Sequence, residues 1–190
     1  MGVVGTNAFR KGLKLIINDE LWEVVDYEYS KMARRGAVVR TKLRNIVTGA
    51  AQDMTFPSGE TFDTPDIEIR NMQYLYSDDI AYNFMDTESY EQVPISRNLL
   101  GEAQKYLKEQ QEVKVQIYDG SPIGVELPTV VELEVTETEP GVKGDTVSST
   151  TKPATLETGA IVNVPLFVDT GTVIRIDTRT GKYLERAKTK

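Results

Sequence analysis

Six cations and no acid stand between Tyr29 and Gln52: Lys31, Arg34, Arg35, Arg40, Lys42 and Arg44. Fixed positive groups at this density bind phosphate by charge and, for the guanidiniums, by paired hydrogen bonds. With 22 Lys and Arg against 29 Asp and Glu, the chain has a net charge of -7. A cationic segment on an acidic body addresses phosphate at one place. Other chemistries are closed. The absence of histidine and cysteine removes Ser-His-Asp and Cys-His catalysis, thiolate metal sites and disulfides. Neither GxxxxGK[ST] nor GxGxxG occurs. An enzyme would have to work with carboxylates, Lys or Tyr. No carboxylate pair stands out, and the ordinary place of an acid is a solvated surface. No metal and no cofactor is expected.

The elements that carry the cations read as strands. Residues 13–17, 21–29, 37–45 and 50–56 are β-rich, with a turn at Asn18-Asp19 and a short irregular tip before Ala37. From Val38 to Arg44 the charges fall on alternate positions. Strand period two sets Arg40, Lys42 and Arg44 on one face and turns Val39 and Leu43 toward a core. Three alternate cations also suit the wet face of an edge strand, where they guard against aggregation. Turn signals at Thr48-Gly49, Pro57-Ser58-Gly59 and Thr64-Pro65 close a first domain over 1–65.

A second domain over 66–128 has predicted strands at 67–76, 80–85 and 113–118, a turn at Asp119-Gly120, and the one good helix at 99–109. It carries 12 acids and 5 bases. A third, over 129–190, has predicted strands at 130–135, 161–164 and 172–177; the Ser/Thr-rich 144–151 reads as a loop, either a linker or a functional one. Short strands with frequent turns predict an all-β chain of three small β-barrels. No run of eighteen apolar residues occurs, so no membrane span is expected. Residues 1–15 lack the apolar segment of a signal peptide, which fits the cytoplasm.

The sequence resembles bacterial elongation factor P from end to end. The densest match is Gly141-Val142-Lys143-Gly144-Asp145-Thr146, Lys152-Pro153-Ala154-Thr155-Leu156-Glu157-Thr158-Gly159, Val164-Pro165-Leu166-Phe167 and Asp177-Thr178-Arg179-Thr180-Gly181-Lys182-Tyr183. Phe84-Met85-Asp86 and Tyr90-Glu91-Gln92 add to it, as do Arg40-Thr41-Lys42-Leu43, Asn45 and Thr48-Gly49. The resemblance implies a KOW/SH3-like barrel followed by two OB-folds in an L-shaped, tRNA-like outline. It implies a non-catalytic translation elongation factor that binds the ribosome between the peptidyl and exit tRNA sites. Such a factor stimulates peptide-bond formation, chiefly at consecutive prolines, by positioning the CCA end of peptidyl-tRNA. The implied partners are both ribosomal subunits, rRNA and peptidyl-tRNA, met by a monomer.

In this family the loop that reaches the peptidyl-transferase centre usually reads near Lys-Pro-Gly-Lys-Gly-Gly-Ala. Here it is Lys31-Met32-Ala33-Arg34-Arg35-Gly36-Ala37. Arg34 takes the tip, so the resemblance is to the arginine-tip type, and no lysine amine is there to be extended. Arg34 stands either bare or rhamnosylated by an arginine-modifying glycosyltransferase. Lys31 and Arg35 would flank it on phosphates, with Arg40, Lys42 and Arg44 along the tRNA acceptor stem. By the same resemblance Gly144, Asp145 and Thr146 approach the exit-site codon on the small subunit. Tyr183 and Arg186 are candidate RNA contacts, Tyr183 serving equally well as core.

Three other readings stand beside this one. A paralogous elongation-factor-P-like protein shares much of the sequence, but such proteins tend to lack the Gly144-Asp145-Thr146 pattern. A free-standing RNA-binding OB-fold would stack bases on Tyr74, Tyr76 and Tyr82, in a domain whose acidity opposes it. A carboxylate-based hydrolase rests on the number of acids alone.

Overall fold

The computed structural model describes residues 2–32, 36–140 and 150–187. They are nearly all strand, arranged in three antiparallel sheets. The chain forms two compact units, residues 1–69 with 116–124 and residues 70–115 with 125–190. Among the described residues no helix is long and apolar enough to cross a membrane.

The first sheet contains β1 (Gly2–Gly5), β2 (Lys14–Ile17), β3 (Glu20–Met32), β4 (Gly36–Asn45), β5 (Ala51–Pro57) and β6 (Thr61–Thr64), in the order β1-β6-β2-β3-β4-β5. Asn18 and Asp19 join β2 to β3 with φ of 52° and 63°. Two left-handed residues match the twist of a tight hairpin, and Asn and Asp tolerate that conformation best after glycine. Alternate residues then point inward: Leu15, Trp22, Val24, Val39, Leu43, Phe56 and Phe62 are buried together with Phe9. A single sheet that buries its own side chains must curl around them, as in a small barrel. The Phe56 and Phe62 rings meet edge to face at 4.7 Å, a favoured aromatic geometry. Trp22 is 6% exposed, and its Nε1 finds no hydrogen-bond partner among the described residues.

The second sheet contains β7 (Glu68–Ser77), β8 (Ala81–Asp86), β9 (Gln92–Ser96), β10 (Glu112–Tyr118) and β11 (Ser121–Glu126), in the order β11-β10-β7-β8-β9. The helix expected over 99–109 is instead α1 (Arg97–Leu100), a single turn, followed by a 3-10 stretch at Gly101–Tyr106. Gly101, with φ 50°, breaks the α pattern that its neighbours favour. Buried Leu100 and Leu107 anchor the two ends.

The third sheet contains β12 (Val130–Thr138), β13 (Thr151–Leu156), β14 (Ile161–Pro165), β15 (Val173–Asp177) and β16 (Lys182–Arg186), in the order β14-β13-β12-β15-β16. Val131, Leu133 and Val135 alternate into a core with Leu156, Val164, Ile174 and Ile176. Tyr106 packs against that core. Thr158 Oγ1 donates to the Lys105 carbonyl at 2.6 Å, and Lys108 Nζ meets Glu157 at 2.9 Å. Thr151, expected at the end of a loop, is the first residue of β13; the rest of that loop up to residue 149 lies outside the described residues.

Candidate nucleic-acid interface

The β3–β4 hairpin carries the described part of the cationic stretch. Val39, Thr41, Leu43 and Asn45 are buried, Arg40 and Lys42 are exposed and Arg44 is half-buried. The sequence alternation therefore holds as a row of three cations on the outer face. Arg34, the expected tip, and Arg35, expected on phosphate beside it, lie outside the described residues, as does the side chain of Lys31.

Register adds what the linear sequence hides. Arg40 lies opposite Glu28, Lys42 opposite Asp26 and Arg44 opposite Glu23. Directly opposed residues of an antiparallel pair share a face. On the other side, Lys42 lies opposite Asp53 of β5. Every outward cation of β4 thus has a carboxylate across the ladder.

A β-bulge makes this matching possible. The register shifts between Val24 and Asp26, so one extra residue reverses the in–out phase of β3. Without it, Glu23 could not share a face with both Asp26 and Glu28.

Two of these acids already hold cations. Glu23 bridges to Arg44 and approaches Lys14 Nζ at 3.8 Å. Asp26 meets Lys11 at 3.0 Å. The Lys11 hydrogen bond, with the Tyr27 amide, holds the Asp26 carboxyl below its ordinary range. Asp26, Glu28, Arg40, Lys42 and Asp53 together line a depression of about 290 Å³. The long guanidinium and ammonium arms can swing from carboxylate to phosphate within it.

The third sheet carries the other described candidates. Arg186 is exposed, stacked over the Phe167 ring at 4.7 Å, with its guanidinium donating to the Phe167 carbonyl. Phe167 is 58% exposed, so the pair presents a flat, charged surface of the kind on which bases stack. Tyr183 is half-buried and packs against the core of its sheet. Gly144, Asp145 and Thr146 lie outside the described residues.

The tyrosines of the second sheet do not form a stacking platform. Tyr74 is buried against Tyr82 and Phe84, and desolvation raises its hydroxyl pKa. Tyr82 lies half-buried beneath Arg97 at 5.2 Å. Of the three, only Tyr76 is well exposed.

Several residues that carry the resemblance build turns. Asp86 accepts from the Glu88 and Ser89 amides at 2.8 and 3.0 Å, and those bonds lower its pKa, Ser89 first. Asn45 Oδ1 does the same for Val47 and Thr48 at 3.0 and 2.9 Å. Lys152 is 6% exposed and donates from Nζ to the Glu139 carbonyl at 2.5 Å. No sequence signal separates such architectural matches from residues that meet a partner.

Residues 5–62 match the family model described as elongation factor P (EF-P) KOW-like domain. Residues 67–125 match the elongation factor P (EF-P) OB domain, and residues 131–186 match elongation factor P, C-terminal. Elongation factor P of Pelotomaculum thermopropionicum is 52% identical over 184 residues, covering 97% of this chain and all of that protein. The same-named proteins of Caldanaerobacter subterraneus subsp. tengcongensis and Moorella thermoacetica are 51% and 50% identical, each again covering 97% of this chain and all of the relative. Among solved structures, eukaryotic translation initiation factor 5A from Methanococcus jannaschii aligns with 65% of this chain and 95% of its own. Its sequence identity is 23% and its TM-score 0.46.

Proposed function

We propose how this chain, which belongs to the elongation factor P family and is a translation elongation factor, acts on the ribosome. It enters between the peptidyl and exit tRNA sites and stimulates peptide-bond formation where consecutive prolines stall. The observation that carries this reading is kinship along the whole length, at 52% identity over 184 residues. The chain is not an enzyme. The reaction is attack of an amine on an ester, and a protein without histidine has no ordinary proton carrier to lend it. Its contribution is geometric. Holding the CCA end still turns a poorly aligned encounter into a near-attack arrangement, and alignment can be worth several kcal/mol, up to roughly 7–11. Proline is a poor nucleophile in this setting, so it gains most; about 1.4 kcal/mol is already tenfold in rate.

Arg34 forms the arginine tip against the CCA end, either bare or rhamnosylated by a glycosyltransferase. Lys31 and Arg35 neutralise phosphates beside it. Arg40 and Lys42 continue that contact along the acceptor stem, since both are exposed on the outer face of β4. Arg44 is the weaker of the row, being already bridged to Glu23. Such contacts fix position without reading sequence. Gly144, Asp145 and Thr146 approach the exit-site codon on the small subunit. Arg186, and through its half-buried ring Tyr183, touch RNA. The protein works as a monomer in the cytoplasm, where ribosomes are.

The test is a reporter carrying a Pro-Pro-Pro stretch, translated with wild-type or Arg34→Ala protein. The variant should leave the fold intact and abolish relief of stalling. Full rescue by Arg34→Ala would remove Arg34 from the tip.

A further inference from the structure

Across the first sheet the strand register, with the Lys11–Asp26 ion pair, sets Lys11, Lys14, Arg40, Lys42 and Arg44 beside Glu23, Asp26, Glu28 and Asp53, five cations against four carboxylates. Neighbouring strands lie about 4.8 Å apart. The Debye length at physiological salt is about 8 Å. Salt therefore does not separate a cation from the carboxylate opposite it on the neighbouring strand. At a Debye length the face presents its small net sum, while at contact distance each exposed guanidinium or ammonium is still a full positive charge.

We infer that Glu28 and Asp53 are specificity-determining residues: they cancel the long-range attraction of Arg40 and Lys42 for RNA in general, leaving the short-range phosphate contacts to a surface that fits. The inference rests on the proposed acceptor-stem role of that row. Non-specific RNA binding is almost wholly the long-range phosphate contribution, so cancelling it costs little where shape brings phosphates into contact and much where it does not. Both acids are exposed. Among the described residues of the first sheet, Glu23 and Asp26 are the acids engaged in ion pairs with cations. The β3 bulge keeps Glu28 in phase with Arg40. Glu28 and Asp53 line the same depression as Arg40 and Lys42, so they oppose the approach of any single strand's phosphates to those cations.

The experiment measures equilibrium binding of the full chain, wild type, Glu28→Gln, Asp53→Asn and Arg40→Gln, to two partners. One is poly(U), a single-stranded RNA without structure; the other is ribosomes stalled on a consecutive-proline message. At about 50 mM KCl each acid variant should bind poly(U) on the order of three-fold tighter, with a smaller gain on ribosomes, so that selectivity falls. Arg40→Gln should weaken ribosome binding. If the acid variants bind poly(U) no tighter while Arg40→Gln still weakens ribosome binding, the inference fails and the role of the row stands. If Arg40→Gln leaves ribosome binding unchanged, the row is not on the tRNA and both fail.

Discussion

Replacing Gly181 by alanine tests how the turn before β16 is held, and with it the presentation of Tyr183 and Arg186. Gly181 has φ 67°, and a Cβ built there would lie 2.6 Å from the Tyr106 hydroxyl oxygen, against 3.4 Å for ordinary contact. Two costs follow. A left-handed alanine is worth about 1–2 kcal/mol against the substitution, partly offset by about 0.4–1 kcal/mol of entropy lost from the unfolded chain. Displacing Tyr106 adds to this, because its ring is rigid and packs against the third-sheet core; about 1 kcal/mol is reasonable for such overpacking. Gly181→Ala should therefore destabilise the third sheet by about 1–3 kcal/mol. The assay is urea unfolding followed through the backbone amide signals of Ile174 and Ile176, which are buried in that sheet. Tyr106→Phe removes the offending oxygen and leaves the ring. In that background the cost should fall by about 1 kcal/mol, leaving the dihedral part. A cost below about 0.5 kcal/mol would refute the left-handed requirement. A coupling of zero between the two sites would refute the steric account.

Lys152→Ala removes a nearly buried stem and the donor to the Glu139 carbonyl, and should cost about 2–3 kcal/mol in the same assay, with Lys152→Met recovering part of it through its stem. Asp177 accepts from the Arg179 guanidinium at both oxygens, at 3.2 and 2.7 Å, and chiefly this holds its carboxyl at about 2, against an ordinary 3.8. A depressed folded-state pKa stabilises above the unfolded value and is lost as pH falls through the folded one. The stability difference between wild type and Asp177→Asn should thus be full above about pH 4 and vanish toward pH 2. A carbon-13 NMR titration of Asp177 with an ordinary midpoint would contradict it.

Much of the architecture could be read from alternation and turn chemistry. Asn18-Asp19 and Asp119-Gly120 sit at hairpin corners with positive φ, as their types demand. A proline inside a strand hides it from such patterns, as in β9 with Pro94, β11 with Pro122 and β13 with Pro153. Proline lacks the ladder donor, and that is why it counts against a strand; β9 and β11 tolerate it at the edges of their sheet. Gly2–Gly5 and Thr61–Thr64 are too short for periodicity to mark. The helix at 99–109 failed at Gly101, where one residue overrode the preference of ten. At the site, the period of β4 put Arg40, Lys42 and Arg44 on one face, and the structure agrees. Their companions Glu23, Asp26, Glu28 and Asp53 were not legible, because matching them needs register and a bulge that no local pattern announces.

The chain has one tryptophan, and it is walled into the barrel of the first sheet with no acceptor for its ring nitrogen among the described residues. Its emission should therefore lie at short wavelength and move red only when that barrel opens to water. A melting curve read from this fluorophore is the melting curve of the amino-terminal sheet, and damage confined to β12–β16 would pass beneath it unseen.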